Sequence, residues 1–182
     1  MIKFDILHRR SGGVLYTAEI DCDEFASAGV KKGLAVRHAL DNCTDLNGAD
    51  LIKADLSNTD LRDVNFRDAN LMGADLSNTD LRGADFRGAN FRWTRLERSN
   101  IGDTKGIKAY ATFGPIGLGR RYGHVILNDD FDPIVYLGCN AGTPKEAYRA
   151  IKQKYGKKST YAAFVRAAVN ELVERNPKPE NV

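Results

Sequence analysis

The sequence predicts a mainly β protein whose middle third is a four-sided coil of about three stacked turns. A hairpin and a helix precede the coil, and a small α+β domain follows it. Three observations predict this. Five-residue units follow one another without a break from Thr44 to Asp103. The stretch ADLSNTDLR at 54–62 returns unchanged at 74–82, an offset of twenty. The flanking segments lose that period and carry strand and helix patterns instead.

The units read TDLNG, ADLIK, ADLSN, TDLRD, VNFRD, ANLMG, ADLSN, TDLRG, ADFRG, ANFRW, TRLER and SNIGD. Their third residue is always Leu, Phe or Ile, from Leu46 to Ile101. Their first is Ala, Thr, Val or Ser, and their second is Asp or Asn except at Arg95. Period five suits neither a strand nor a helix. On a helix such a pattern would spiral around the axis and form no stripe. Four units per turn bring the sequence back onto itself at twenty. Each side then turns one large and one small residue inward, and successive turns stack at the sheet spacing of roughly 4.8 Å.

These units resemble the pentapeptide-repeat family over residues 44–103. The resemblance implies a right-handed quadrilateral β-helix. Some members of that family resemble B-DNA in shape and charge and bind DNA gyrase or topoisomerase IV. The coil here carries eight basic and eleven acidic residues, with arginines in its outer columns, which departs from a long acidic rod.

Stacking at twenty predicts columns of like residues on the outer walls. One wall carries Asp60 and Asp80 beside Arg62 and Arg82, and another carries Arg67 and Arg87. These six residues are the candidate partner-binding face. Neighbouring columns of opposite sign offset the repulsion within each column. The Asn58–Asn78 pair reads as a structural hydrogen-bond ladder.

Both ends of such a stack expose core and unpaired backbone, so they need caps. Residues 1–43 supply one. Ile2–Leu7 and Val14–Ile20 read as strands around the turn Arg10-Ser11-Gly12-Gly13. Ser27–Leu40 reads as a helix with Val30, Leu34 and Val36 inward. In residues 104–182, the run Phe113–Gly119 reads as a glycine-rich turn segment. Tyr122–Leu127 and Ile134–Leu137 read as strands. Thr143-Pro144-Lys145-Glu146 opens a helix ending by Gly156, and a second helix runs from Ser159 to Glu174. The motifs Phe113-Gly114-Pro115-Ile116-Gly117, Gly138-Cys139 and Gly142-Thr143 resemble a terminal domain of pentapeptide-repeat proteins from tailed phages and prophages. That likeness implies a phage or prophage origin.

The remaining chemistry is sparse. Three separated cysteines, Cys22, Cys43 and Cys139, argue against a disulfide framework and for a reducing cytoplasm. No cysteine or histidine spacing suggests a metal, and no cofactor motif occurs. Net charge is +3, and no apolar run is long enough to span a membrane. A candidate ligand set, Arg120, Arg121, His124 and Cys139, could hold a small anion or activate a thiol. The basic set Lys145, Arg149, Lys152, Lys154, Lys157 and Lys158 reads as a solvated helix face rather than a nucleic-acid site. The expected function is therefore non-enzymatic: binding of a host protein, with homodimerisation through an uncovered coil end as an option. Gyrase modulation by DNA mimicry and ligand or thiol chemistry in the C-terminal domain are the alternatives.

Overall fold

A computed structural model of the chain describes residues 1–116, 121–137, 140–155 and 160–178. The chain divides into two compact units, Met1–Gly106 and Ile107–Val182.

In the first unit the repeat folds as a stacked coil, each turn paired with the next at an offset of twenty residues. Parallel bridges join Asp50 to Asn70, Asp55 to Asp75 and Asp60 to Asp80, always twenty residues apart. The ladder runs both ways: Leu56 N donates to Asp75 O at 2.9 Å, and Asp75 N donates to Ala54 O at 2.9 Å. The last bridge joins Asp85 to Lys105, so the coil continues past Asp103, where the sequence pattern lapses. A bridge requires only backbone, and Thr104 still fills the small inward slot.

The interior explains the first and third positions. Leu46, Leu51, Leu56, Leu61, Phe66, Leu71, Leu76 and Leu81 are fully buried. Ala49, Ala54, Ala69, Ala74 and Ala84 fill the small slot. Phe66 and Phe86, one turn apart, stack at 5.3 Å between ring centres and 9° between planes. Where the small slot holds a hydroxyl, it is bonded: Thr94 Oγ1 donates to Leu71 O at 2.8 Å, and Ser99 Oγ donates to Leu76 O at 2.7 Å. A buried hydroxyl left unbonded would be unfavourable.

The turns explain the second and fifth positions. The second residue's Oδ1 accepts the N–H two residues later, as from Ser57 to Asp55 and from Arg67 to Asn65, both at 3.2 Å. This Asx turn is why the position holds Asp or Asn. Every fifth residue from Gly48 to Asp103 has a left-handed φ between 54° and 73°. Gly, Asn and Asp tolerate that conformation; Lys53, Trp93 and Arg98 adopt it at a cost of about 1–2 kcal/mol. Arg98→Gly is therefore expected to stabilise the protein by up to about 1 kcal/mol, after the added freedom of the unfolded glycine is subtracted. Gly83→Ala should act in the opposite direction, because Gly83 holds a left-handed φ of 73° that a Cβ strains, and Asp63 Oδ1 would have to move as well. Urea denaturation of the two variants checks the pair of signs.

The N-terminal cap is built from β1 (Ile2–Leu7), β2 (Val14–Ile20) and α1 (Ala28–Asp41). β1 and β2 pair antiparallel, with Ile2 opposite Ile20. The hairpin joins the first turn of the coil through Asp50 N to Leu7 O and Arg9 N to Gly48 O, both at 2.7 Å. Ser27 caps α1 by accepting the Val30 N–H. Of the residues of α1 expected inward, Val36 is buried and the other two are not. Val30 is exposed and Leu34 is half-buried, whereas Gly33, Ala35, Val36 and Ala39 are buried. The helix approaches coil backbone rather than side chains. Gly29 O accepts the Asp55 N–H at 3.0 Å, in the place a preceding turn would occupy. Only glycine fits there: a Cβ at Gly29 would stand 2.3 Å from Lys53 O, and one at Gly33 would stand 1.9 Å from Asp55 O.

The second unit is a four-stranded antiparallel sheet with two helices. β3 (Ala109–Ile116), β4 (Arg121–Leu127), β5 (Pro133–Leu137) and β6 (Asn140–Gly142) lie in chain order. α2 (Pro144–Tyr155) and α3 (Thr160–Arg175) pack on one face. Ala109, Val125, Leu127 and Val135 from the sheet meet Ala147, Ile151, Val165, Val169 and Leu172 from the helices. Thr143 and Glu146 form a capping box: Thr143 N donates to Glu146 Oε2 at 2.8 Å, and Glu146 N donates to Thr143 Oγ1 at 3.3 Å. β3 corrects the reading of Phe113–Gly119 as a turn segment through Ile116. The sequence reading also lacked β6.

Candidate interaction face

The Asx turn that shapes each side of the coil also aims its fourth residue. With the second-position Oδ1 held by the Arg62 N–H, the Asp60 carboxylate stands beside the Arg62 side chain. The guanidinium closes a fork: Nε donates to Oδ1 at 2.8 Å, and Nη2 donates to Oδ2 at 2.6 Å. The same fork recurs at Asp80–Arg82 and Asp85–Arg87, where the closest contacts are 2.6 and 2.5 Å. Cross-turn contacts knit the columns together. Arg62 lies 3.9 Å from Asp80, and Arg67 lies 3.9 Å from Asp85. Three of the six candidate residues, Asp60, Arg62 and Arg82, remain more than half exposed in their side chains.

The forks set the electrostatics. The Arg62 guanidinium, aided by the Arg62 backbone N–H, pulls the Asp60 carboxyl down to about 2. Arg82 lowers Asp80 and Arg87 lowers Asp85, each first through its side-chain hydrogen bonds. A carboxyl held below its unfolded value stabilises the fold above that value and loses its contribution as pH falls. The window here lies below about pH 4, closing near 2 for Asp60. Acid titration of stability should therefore show a loss across that window. The triple variant Asp60→Asn, Asp80→Asn, Asp85→Asn should flatten it. An unchanged acid limb in that variant would show that the forks do not couple to folding.

The structure brings five of the six candidates together as these forks and links Arg67 to them through Asp85. It also adds Asp85, Asp68, Arg9 and Arg10, which sequence reasoning missed. Arg9 Nη2 lies 3.2 Å and Arg10 Nη2 lies 3.7 Å from Asp68 Oδ1. The Asn58–Asn78 ladder is corrected. Both residues occupy left-handed corners, and the asparagine ladder is Asn90 Nδ2 to Asn70 Oδ1 at 2.9 Å.

The ligand set of the second unit fares differently. His124 lies in β4, buried, its ring stacked on Tyr136 at 4.8 Å. Arg121 opens β4 opposite Ile116. Arg120 and Cys139 lie outside the described residues. Of the basic helix set, Lys145, Arg149 and Lys152 are exposed on α2, whereas Lys157 and Lys158 lie outside the described residues. Among the described residues, no helix is long and apolar enough to cross a membrane.

The family model for pentapeptide repeats matches residues 42–78 and 65–103, in eight copies. Residues 42–103 are a pentapeptide-repeat array. No curated protein matches the chain. Solved pentapeptide repeat proteins resemble part of it. One from the cyanobacterium Cyanothece 51142 is 35% identical over 34% of this chain and 45% of its own, with a TM-score of 0.27. One from the Arabidopsis thaliana thylakoid lumen is 32% identical over 34% and 46%, with a TM-score of 0.26. HetL from Nostoc sp. strain PCC 7120, involved in heterocyst differentiation regulation, is 30% identical over 35% and 39%, with a TM-score of 0.20. The chain spans less than half the length of each. The pentapeptide-repeat array accounts for about a third of the chain, and the second unit lies outside that match.

Proposed function

We propose that this protein is a non-enzymatic interaction module that docks on a protein partner through the Arg/Asp walls of its right-handed, four-sided coil. The observation that carries this reading is the set of forked pairs Asp60–Arg62, Asp80–Arg82 and Asp85–Arg87. Exposed ion pairs contribute little to stability, roughly 0–1 kcal/mol each, so the fold does not require three of them in register. What the repeat supplies is position. Each guanidinium is held by its own carboxylate on a rigid backbone, which lowers the entropy lost when a partner meets it.

The same forks count against DNA mimicry, because each carboxylate in these columns is met by a guanidinium. The resemblance of the C-terminal motifs supports a phage or prophage accessory protein acting in the host cytoplasm. Phage genes flanking the coding sequence would support that origin, and their absence would remove it.

Affinity capture tests the docking face. Tagged wild type and the Arg62→Glu, Arg82→Glu, Arg87→Glu variant are compared in lysate of the source organism. A protein retained by wild type and lost by the variant, whose thermal unfolding is shown to remain cooperative, supports the face. Equal capture by both, or no specific protein with either, overturns it.

A further inference from the structure

We propose that the partner contributes an acidic polypeptide segment, and that it binds where the hairpin turn meets the coil, around Arg9, Arg10 and Arg67. This inference rests on the docking reading above and adds, beside the forked wall, a second contact made by the same partner. It starts from unequal supply of carboxylate along the wall. Arg62 and Arg82 each have a private carboxylate, Asp60 and Asp80, in their own unit. Arg67 has none, because its unit carries Asn65 in the second position. Its nearest carboxylate, Asp85 at 3.9 Å, is already forked by Arg87. The residue after Arg67, Asp68, is shared by Arg9 and Arg10.

These groups are contiguous. Arg67 O accepts the Gly48 N–H at 2.8 Å, and Gly48 O accepts the Arg9 N–H at 2.7 Å. Asp68 N donates to Arg87 O at 2.9 Å in the same stack. Arg9 and Arg10 thus share Asp68, and Arg67 meets Asp85 only beside the Arg87 fork. The guanidiniums of Arg9, Arg10 and Arg67, linked through these backbone contacts, present positive charge on one stretch of the wall. Arg10 and Arg67 keep 73% and 44% of their side chains exposed, so they are open to an incoming group.

The fixed Asp68 and Asp85 choose between anionic partners. A nucleic acid would bring phosphates at regular spacing past these two carboxylates and meet repulsion at each. A peptide bearing glutamates on flexible stems can place carboxylates on Arg10 and Arg67 and avoid the acids between them.

The test measures fluorescence anisotropy of labelled deca-glutamate at low and physiological salt, on the full chain. Wild type is expected to bind, with affinity falling as salt rises. Arg10→Glu with Arg67→Glu is expected to weaken binding at least tenfold. Arg62→Glu with Arg82→Glu is expected to change it less than threefold. Tighter binding of duplex DNA than of deca-glutamate, no peptide binding, or equal loss in both variants overturns the inference. The lysate capture described above separates the two readings. If capture survives Arg10→Glu/Arg67→Glu but not the fork variant, the acidic-segment site falls and the docking face stands. If neither variant loses a partner, both fall.

Discussion

Gly33→Ala is expected to destabilise the first unit by about 2–4 kcal/mol, measured by urea or thermal unfolding. The sign is the informative part. Inside a helix, alanine is better than glycine by about 1 kcal/mol, so propensity alone predicts a gain. The geometry reverses this. A Cβ at Gly33 would stand 1.9 Å from Asp55 O and 2.9 Å from its carbonyl carbon, both rigid backbone atoms of the coil. Neither can rotate aside, so the helix must retreat by more than an ångström. Retreat stretches the bond from Asp55 N to Gly29 O and the contacts of Arg37 with Ser57 O and Thr59 Oγ1. It also uncovers Ala35, Val36 and Ala39. Overpacking and lost backbone hydrogen bonds then add. Gly29→Ala should behave alike but more mildly, since its clash at 2.3 Å lies nearer the helix start. Val30→Ala, on the exposed side, should stay within about 0.5 kcal/mol. A stabilised Gly33→Ala would mean that α1 does not lie against the coil backbone.

That glycine pair also shows where the sequence stops being readable. The coil was legible because four positions of every unit answer to local physics: an apolar slot, a small slot, an Asx turn and a left-handed corner. Twelve repetitions make such a signal hard to miss. The face of α1 was not legible, because apolar spacing assumes a side-chain partner, and α1 meets carbonyls. Val30 was expected inward for that reason and lies outward. β3 was obscured by Gly114 and Pro115, which usually punctuate turns. As an edge strand it tolerates a missing N–H, and its register shifts between Phe113 and Ile116, where the proline sits. The Asp–Arg forks were half legible. The columns were visible at offset twenty, but the bond within each unit depends on how the Asx turn aims the carboxylate. The approach of Arg9 and Arg10 to Asp68 spans nearly sixty residues and left no mark in either segment.

Phe86→Ala is expected to lower stability by about 3–5 kcal/mol, whereas Phe86→Leu should lower it by less than about 1.5 kcal/mol. Phe86 sits in the large interior slot between two other aromatics. It stacks on Phe66 at 5.3 Å and meets Phe91 at 5.2 Å with planes 59° apart. Removing the ring opens a cavity beside Phe66 and Phe91, in an interior whose turns are fixed by the hydrogen-bond ladder and cannot collapse inward. Leucine is the residue that most units place in this slot, so it fits the same backbone with a smaller void. The complementary change, Ala84→Leu, puts a large residue in the small slot of the same unit and should cost about 1–3 kcal/mol by overpacking. The three variants together separate slot identity from hydrophobicity in general, since Ala84→Leu adds apolar surface and still destabilises. Chemical denaturation with a constant m-value across the set measures this. If Phe86→Ala were tolerated as well as Phe86→Leu, or Ala84→Leu raised stability, the interior would not alternate large and small slots along each side of the coil, and the account of why the sequence repeats every five residues would fail with it.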